Sequence, residues 1–177
     1  METVETMPGP STTAANRAVV QRLMKAMRER DYDGLAELLA HDVVIRSPIT
    51  ASFHFQGRDD AIALLKIVRE TMAELEHEDL LGTEDVWVQR FRARVRGRML
   101  EGMDLMRFDP AGTIRELTVF VRPLPGVTAF AAAVAPGVGG RRGRLTSIAL
   151  RLLTGPLAAI TYHGDRLVAW LLRGTWW

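Results

Sequence analysis

WVQRFRARVRGRMLEGMDLMRFDPAGTIRELTVFVR, residues 87–122, is the stretch on which the fold turns. From Trp87 to Arg98 it alternates: Trp87, Phe91, Ala93 and Val95 share one phase, and Arg90, Arg92, Arg94 and Arg96 share the other. A period of two is that of a strand with one face buried and one face polar. A two-residue turn at Gly97-Arg98 would set Asp104 opposite Phe91, Met106 opposite Gln89 and Phe108 opposite Trp87, with Glu101 facing Arg94. A second turn through Asp109-Pro110-Ala111-Gly112 brings in a strand over 113–122, with Leu117 opposite Asp104 and Val119 opposite Gly102. The expected meander has an apolar face of Trp87, Phe91, Leu100, Met106, Phe108, Leu117 and Val119, in which Asp104 is the one acid. A three-residue first loop would move Asp104 to the arginine face, so the assignment depends on that turn. Aliphatic residues on both neighbouring strands favour the shorter loop.

Upstream, the pattern changes to a helical period. Val19, Val20, Leu23, Met24 and Met27 predict a first helix from about Thr13, preceded by a loose leader over residues 1–13. A short second helix, capped by Asp33, carries Leu35, Leu38 and Leu39. A strand over Asp42–Ser47 ends at Pro48, and a loop with Phe53, His54 and Phe55 leads to a third helix from about Arg58 to Met72, with Asp59 and Asp60 in its first turn. Glu74–Asp85 reads as a charged connection that could hold a short strand. Three helices before a curved antiparallel sheet make an α+β fold: a cone whose helices cover one sheet face and enclose a cavity.

The chain has 177 residues, 47% hydrophobic and 25% charged, which excludes wholesale disorder and a fibrous repeat. It contains no cysteine, so disulfides and thiolate chemistry are excluded, and a reducing, cytoplasmic setting is expected. The formal charge of +2 is unevenly divided. Residues 1–126 carry 17 Lys+Arg and 20 Asp+Glu, a net of −3, whereas residues 127–177 carry 6 Arg and 1 acid, a net of +5. Three of the four tryptophans also lie in this basic part.

An acid on the cavity side of a sheet loses hydration, which raises its pKa and equips it as a general acid/base or a hydrogen-bond donor. The residues alone equally allow an aspartate satisfied by a neighbouring donor. His54 could partner Asp104 in proton transfer, or be an ordinary loop histidine. No histidine and carboxylate cluster has metal-ligand spacing, and no glycine-rich phosphate loop precedes a helix, so no metal or cofactor is expected. On the outer face, Arg90, Arg92 and Arg94 adjoin Met103, Leu105 and Phe120. Arginine mixed with apolar residues matches a symmetric homodimer face better than a plainly solvated face, and better still than a nucleic-acid groove, which would also need stacking aromatics.

RDYDGLAELLAHDVVIRSPI (30–49) and EGMDLMRFDPAGTIRELTVFVRP (101–123), in this order of elements, resemble the SnoaL-like branch of the nuclear-transport-factor-like superfamily. The most specific part is MDLMRFDPAGTI. That superfamily includes ketosteroid isomerases, polyketide cyclases, scytalone dehydratase and limonene epoxide hydrolase. Over residues 14–126 the resemblance implies a cone-shaped α+β barrel, an apolar pocket for a small apolar or polycyclic ligand, and frequently a homodimer. It also implies that Asp104 matches the strand aspartate that isomerases keep protonated and cyclases use as an acid/base. The isomerase general base would fall at Ser47, its helix-one tyrosine at Leu23, and the epoxide-hydrolase arginine at Gly102. The chemistry left is cofactor-free proton transfer beside a carbonyl, as in isomerisation, dehydration or cyclisation. The alternative is a non-catalytic ligand-binding or regulatory module.

Residues 127–177 form a basic extension beyond the family pattern. A short helix is expected over 127–134, broken by PGVGGRRGR. Residues 144–153 and 165–173 then predict two amphipathic pieces separated at Gly155-Pro156. Neither piece alone has the roughly 20 apolar residues that cross a bilayer. Arginines opposite apolar residues, with Trp176 and Trp177 at the end, suggest either peripheral membrane contact through residues 144–177 or a tail folded onto its own domain or onto a protein partner.

Overall fold

The computed structural model describes residues 10–52 and 54–172. Helices α1 (Pro10–Glu29) and α2 (Tyr32–Leu38) lead into strands β1 (Leu39–Arg46) and β2 (Phe55–Gln56), and then into α3 (Arg58–Thr71). Strands β3 (Ala73–Thr83), β4 (Val86–Val95), β5 (Arg98–Phe108) and β6 (Ile114–Arg122) follow, and then α4 (Leu124–Gly140) and α5 (Arg144–Leu171). The fold is α+β, with six strands in the order β2-β1-β6-β5-β4-β3. The sheet is mixed rather than wholly antiparallel. β1 runs antiparallel to β2 but parallel to β6, with Ile45 beside Leu117. No hairpin joins β1 to β6, so chain connection does not impose an antiparallel pairing on them.

Two compact units make up the chain. One contains the residues up to Ala63 with His77–Phe91 and Met103–Phe120; the other contains Leu64–Glu76, Arg92–Gly102 and the chain from Val121 onward. The expected leader over 1–13 lies partly outside the described residues, and α1 already begins at Pro10.

In the first unit, Val20 and Leu23 of α1, Leu35 and Leu38 of α2, and Val43 and Ile45 of β1 are buried, as are Trp87, Phe91, Met106, Phe108 and Leu117. The cap of α2 is Asp31, not Asp33: its carboxylate accepts from the Gly34 N–H at 2.9 Å. A side chain at residue 34 would collide with that carboxylate, which is why a glycine stands inside the first turn. The Arg58 guanidinium donates to the Leu39 carbonyl at 2.9 and 2.7 Å, tying the start of α3 to β1.

The first hairpin turns at Arg96-Gly97, one residue earlier than the alternation suggested. Both residues have positive φ, 50° and 76°, as a tight two-residue turn requires. Strand β5 therefore resumes at Arg98, and pairing outward from Val95 brings Gln89 opposite Asp104, where Phe91 was expected. The partner changes by two residues, so the faces are preserved.

The Glu74–Asp85 connection is largely the eleven-residue strand β3, whose residues divide between the two units at Glu76. In the second unit, the last helices also differ from expectation. The helix expected over 127–134 runs on to Gly140 through Pro136. Proline at 136 has no N–H for the carbonyl four residues back, that of buried Ala132. Arg96 supplies the missing donor, its Nη2 lying 3.0 Å from that carbonyl. Gly143, at φ 130°, then lets the chain reverse. α5 returns along α4: Thr128 and Thr161 share a 2.6 Å hydroxyl hydrogen bond, and Gly139 abuts Ser147 and Leu150. Gly155-Pro156 does not divide α5, which is one helix of 28 residues. An exposed helix tolerates an internal proline because water can satisfy the freed carbonyl.

Candidate functional site

Asp104 occupies the inward phase of β5, between Gly102 and Met106, both buried. The residue keeps some solvent contact. Its carboxyl is nevertheless deep enough that lost hydration dominates, pushing its pKa from 3.8 up to about 7. Among the described residues, the side chain that addresses it is Gln89, whose Nε2 donates to Oδ2 at a long 3.4 Å. Gln89 is only 1% exposed. Sequence reasoning passed over it, although it falls in the same phase as Trp87 and Phe91, where a polar residue needs a buried partner.

The residues expected to wall a pocket fall into two groups. Leu23, Trp87, Phe91, Met106, Phe108 and Leu117 are all buried, packed into the core of their unit. Val119, like Asp104, retains accessible surface. Trp87 donates its indole N–H to the Glu84 carbonyl at 3.2 Å, and its ring lies so close to Gly82 that any side chain there would strike it.

Ser47 and His54 come together elsewhere. With Arg46, Pro48, Ile49, Thr50 and Ala51 they line a cleft of about 360 Å³, and Asp104 is not among its lining residues. The Ser47 hydroxyl accepts from the Ile49 N–H at 3.2 Å, and His54 is exposed. Phe53 lies outside the described residues. Among the described residues no group of three or more histidines and carboxylates is placed to hold a metal ion.

The arginine row is not the open stripe it looked. Arg90 pairs with Glu78 and with Asp79 at 3.2 Å, Arg92 with Glu76 at 3.3 Å, and Arg94 with Glu74 at 2.9 Å. Glu101, the partner expected for Arg94, pairs instead with Arg122 at 3.3 Å. Arg98, the next arginine along the chain, makes none of these pairs; its guanidinium stacks 4.5 Å above the Tyr162 ring. Met103 and Phe120 are exposed at 47% and 53%, and Leu105 is half-buried.

The family model of the SnoaL-like domain matches residues 20–117, more than half of the chain. The chain belongs to the SnoaL-like domain family. One solved structure agrees with that assignment, and others share the fold. A steroid delta-isomerase from Pseudomonas aeruginosa is 31% identical over 73% of this chain and 91% of its own, with a TM-score of 0.64. An uncharacterized bacterial protein with a cystatin-like fold, from Silicibacter pomeroyi, is 23% identical over 72% of this chain and 93% of its own, with a TM-score of 0.66. A putative SnoaL-like polyketide cyclase from Shewanella denitrificans is 20% identical over 60% and 90%, with a TM-score of 0.51. The last two show the fold alone. No curated protein matches the chain in sequence. In this SnoaL-like domain the family match ends at Leu117, so α4 and α5 lie wholly beyond it.

Proposed function

We propose that this SnoaL-like domain binds a small apolar or polycyclic carbonyl compound and moves a proton on it, with Asp104 as the acid/base. The observation that carries the reading is the carboxyl of Asp104 on the inward face of β5, with a pKa near 7. At neutral pH both of its forms are populated. The anion can take a proton from carbon next to a carbonyl, and the acid can return one or donate a hydrogen bond to the developing enolate oxygen. Gln89 orients the carboxyl by donating to Oδ2, which leaves Oδ1 for the ligand. The likeness to a steroid delta-isomerase at 31% identity supports an isomerase-type proton shift. The ligand approaches where Asp104 and Val119 keep accessible surface.

A second reading, a non-catalytic dimeric carrier or regulator, draws on the placement of Ser47 and His54 in a cleft whose lining leaves out Asp104. Deuterium exchange from D₂O into the α-carbon of a panel of polycyclic ketones, followed by NMR, separates the two. Exchange that disappears in Asp104→Asn, with binding retained, is the expected result. Exchange unchanged in Asp104→Asn removes Asp104 from the chemistry, and ligand binding without any exchange supports the carrier.

A further inference from the structure

α5 is built inside out for a helix of a water-surrounded protein. The side turned to α4 carries mainly small or polar residues, with Ser147 beside Gly139, Thr161 bonded to Thr128 and Ala158 as its one buried residue, and Leu150 against Gly139 is the large apolar exception. The side turned away carries the large apolar ones: Leu145, Leu152 and Ile160 are 84%, 70% and 69% exposed, and Leu153, Leu167 and Trp170 continue the ridge. At 1.5 Å per residue the helix of 28 residues is about 42 Å long. An apolar face of that length is far larger than soluble monomers leave in water.

The charge around this face is one-sided. At 100° per residue, Arg144, Arg151 and Arg166 fall on one flank of the ridge. Arg142 stands exposed in the turn just before the helix, and Asp165 is the sole acid in residues 127–177.

We propose that α5 docks in the plane of an anionic bilayer surface, its apolar ridge entering the headgroup boundary and its arginine flank meeting lipid phosphate and carboxylate. Apolar area and cationic flank together are what such interfacial helices require. The helix is long and apolar enough to span a membrane by length and composition. Its packing argues for lying flat. α5 is joined to α4 at two separate points, the Thr128–Thr161 hydrogen bond and the contact of Ser147 and Leu150 with Gly139, and spanning would break both. A second copy packed antiparallel on α5 is the poorer occupant, because that symmetric contact would bring the same arginine flank against itself. The inference is independent of any chemistry at Asp104.

The full chain should cosediment with phosphatidylcholine vesicles containing roughly one-third phosphatidylserine, and less with phosphatidylcholine alone or at raised salt. Two double variants on exposed positions, Leu152→Glu with Ile160→Glu and Arg144→Glu with Arg151→Glu, should each weaken that binding at least about tenfold while circular dichroism stays unchanged. Four results would overturn the proposal: no binding to the anionic vesicles even at low salt; equal binding by both variants; bound protein that resists alkaline carbonate, which indicates a span; or an oligomer that ignores vesicles and is dissolved by the Leu152/Ile160 pair, which indicates a self-interface.

Discussion

Asp104 and Asp109 sit five residues apart and have been driven in opposite directions. Desolvation raises Asp104 to about 7. Asp109 is also partly desolvated, but hydrogen bonds from Thr113, Ala111 and Gly112 hold its carboxyl below the usual range. The Asp109 pattern is that of a turn residue, with both the Thr113 N–H and hydroxyl donating to it at 2.9 and 2.6 Å. The Asp104 pattern is that of a group whose neutral form the fold prefers, and this has a consequence for stability. Between the unfolded value of 3.8 and the folded value near 7 the native state holds the extra proton, so stability falls as pH rises through that window. At about 1.4 kcal/mol per pH unit the cost above pH 7 is of order 4 kcal/mol at most. Asp104→Asn removes it. Thermal melts should show the variant matching the parent near pH 4 and exceeding it in Tm by pH 8; parallel Tm curves across that range would mean that Asp104 titrates normally. The identity of Asp104 as the lone inward acid was legible from period two alone. Gln89 as its neighbour was not, because the partner depends on whether the turn begins at residue 96 or 97, and local sequence allows both.

At the scale of elements, the charged faces of β3 and β4 answer one another. Glu74, Glu76 and Glu78 alternate along β3 as Arg94, Arg92 and Arg90 alternate along β4. Each acid meets its arginine across the strand boundary. Exposed pairs of this kind contribute about 0.2–1 kcal/mol each. Arg92→Glu would set like charges side by side and should lower stability by about 1 kcal/mol. Adding Glu76→Arg should restore most of the loss in a denaturant titration, and a double variant no more stable than the single one would show that the pair does not act as a pair. The alternation of acids in AELEHED was readable as a strand complementary to FRARVR, but charge density masked it as a connection. Helices α4 and α5 were misjudged for a related reason. Proline and glycine weaken a helix locally, yet the donor from Arg96 to the Ala132 carbonyl comes from a hairpin 36 residues away, which no window along the chain reveals.

For the whole molecule, the two ends differ in charge. The family domain is slightly acidic, with a net of −3 over residues 1–126, and the chain beyond it is +5. With Arg90, Arg92 and Arg94 engaged by β3, the exposed apolar residues on the outer phase of β5 and β6 are what the homodimer expectation now rests on. Light scattering should report a dimer, and Met103→Glu with Phe120→Glu should yield a monomer that remains folded; an unchanged dimer would place the contact elsewhere. By itself the sequence determined the α+β class, the resemblance to the family, read over residues 14–126, the inward phase of Asp104 and the charge division, since all of these follow from short-range periodicity, local motif and simple counting. Only the tertiary structure decided which residue faces Asp104, that β1 runs parallel to β6, that acids of β3 take up the arginines, and that α5 turns its large apolar residues outward. Each of these depends on partners far apart in the chain, and a helix carries no local mark of which of its faces will find a neighbour.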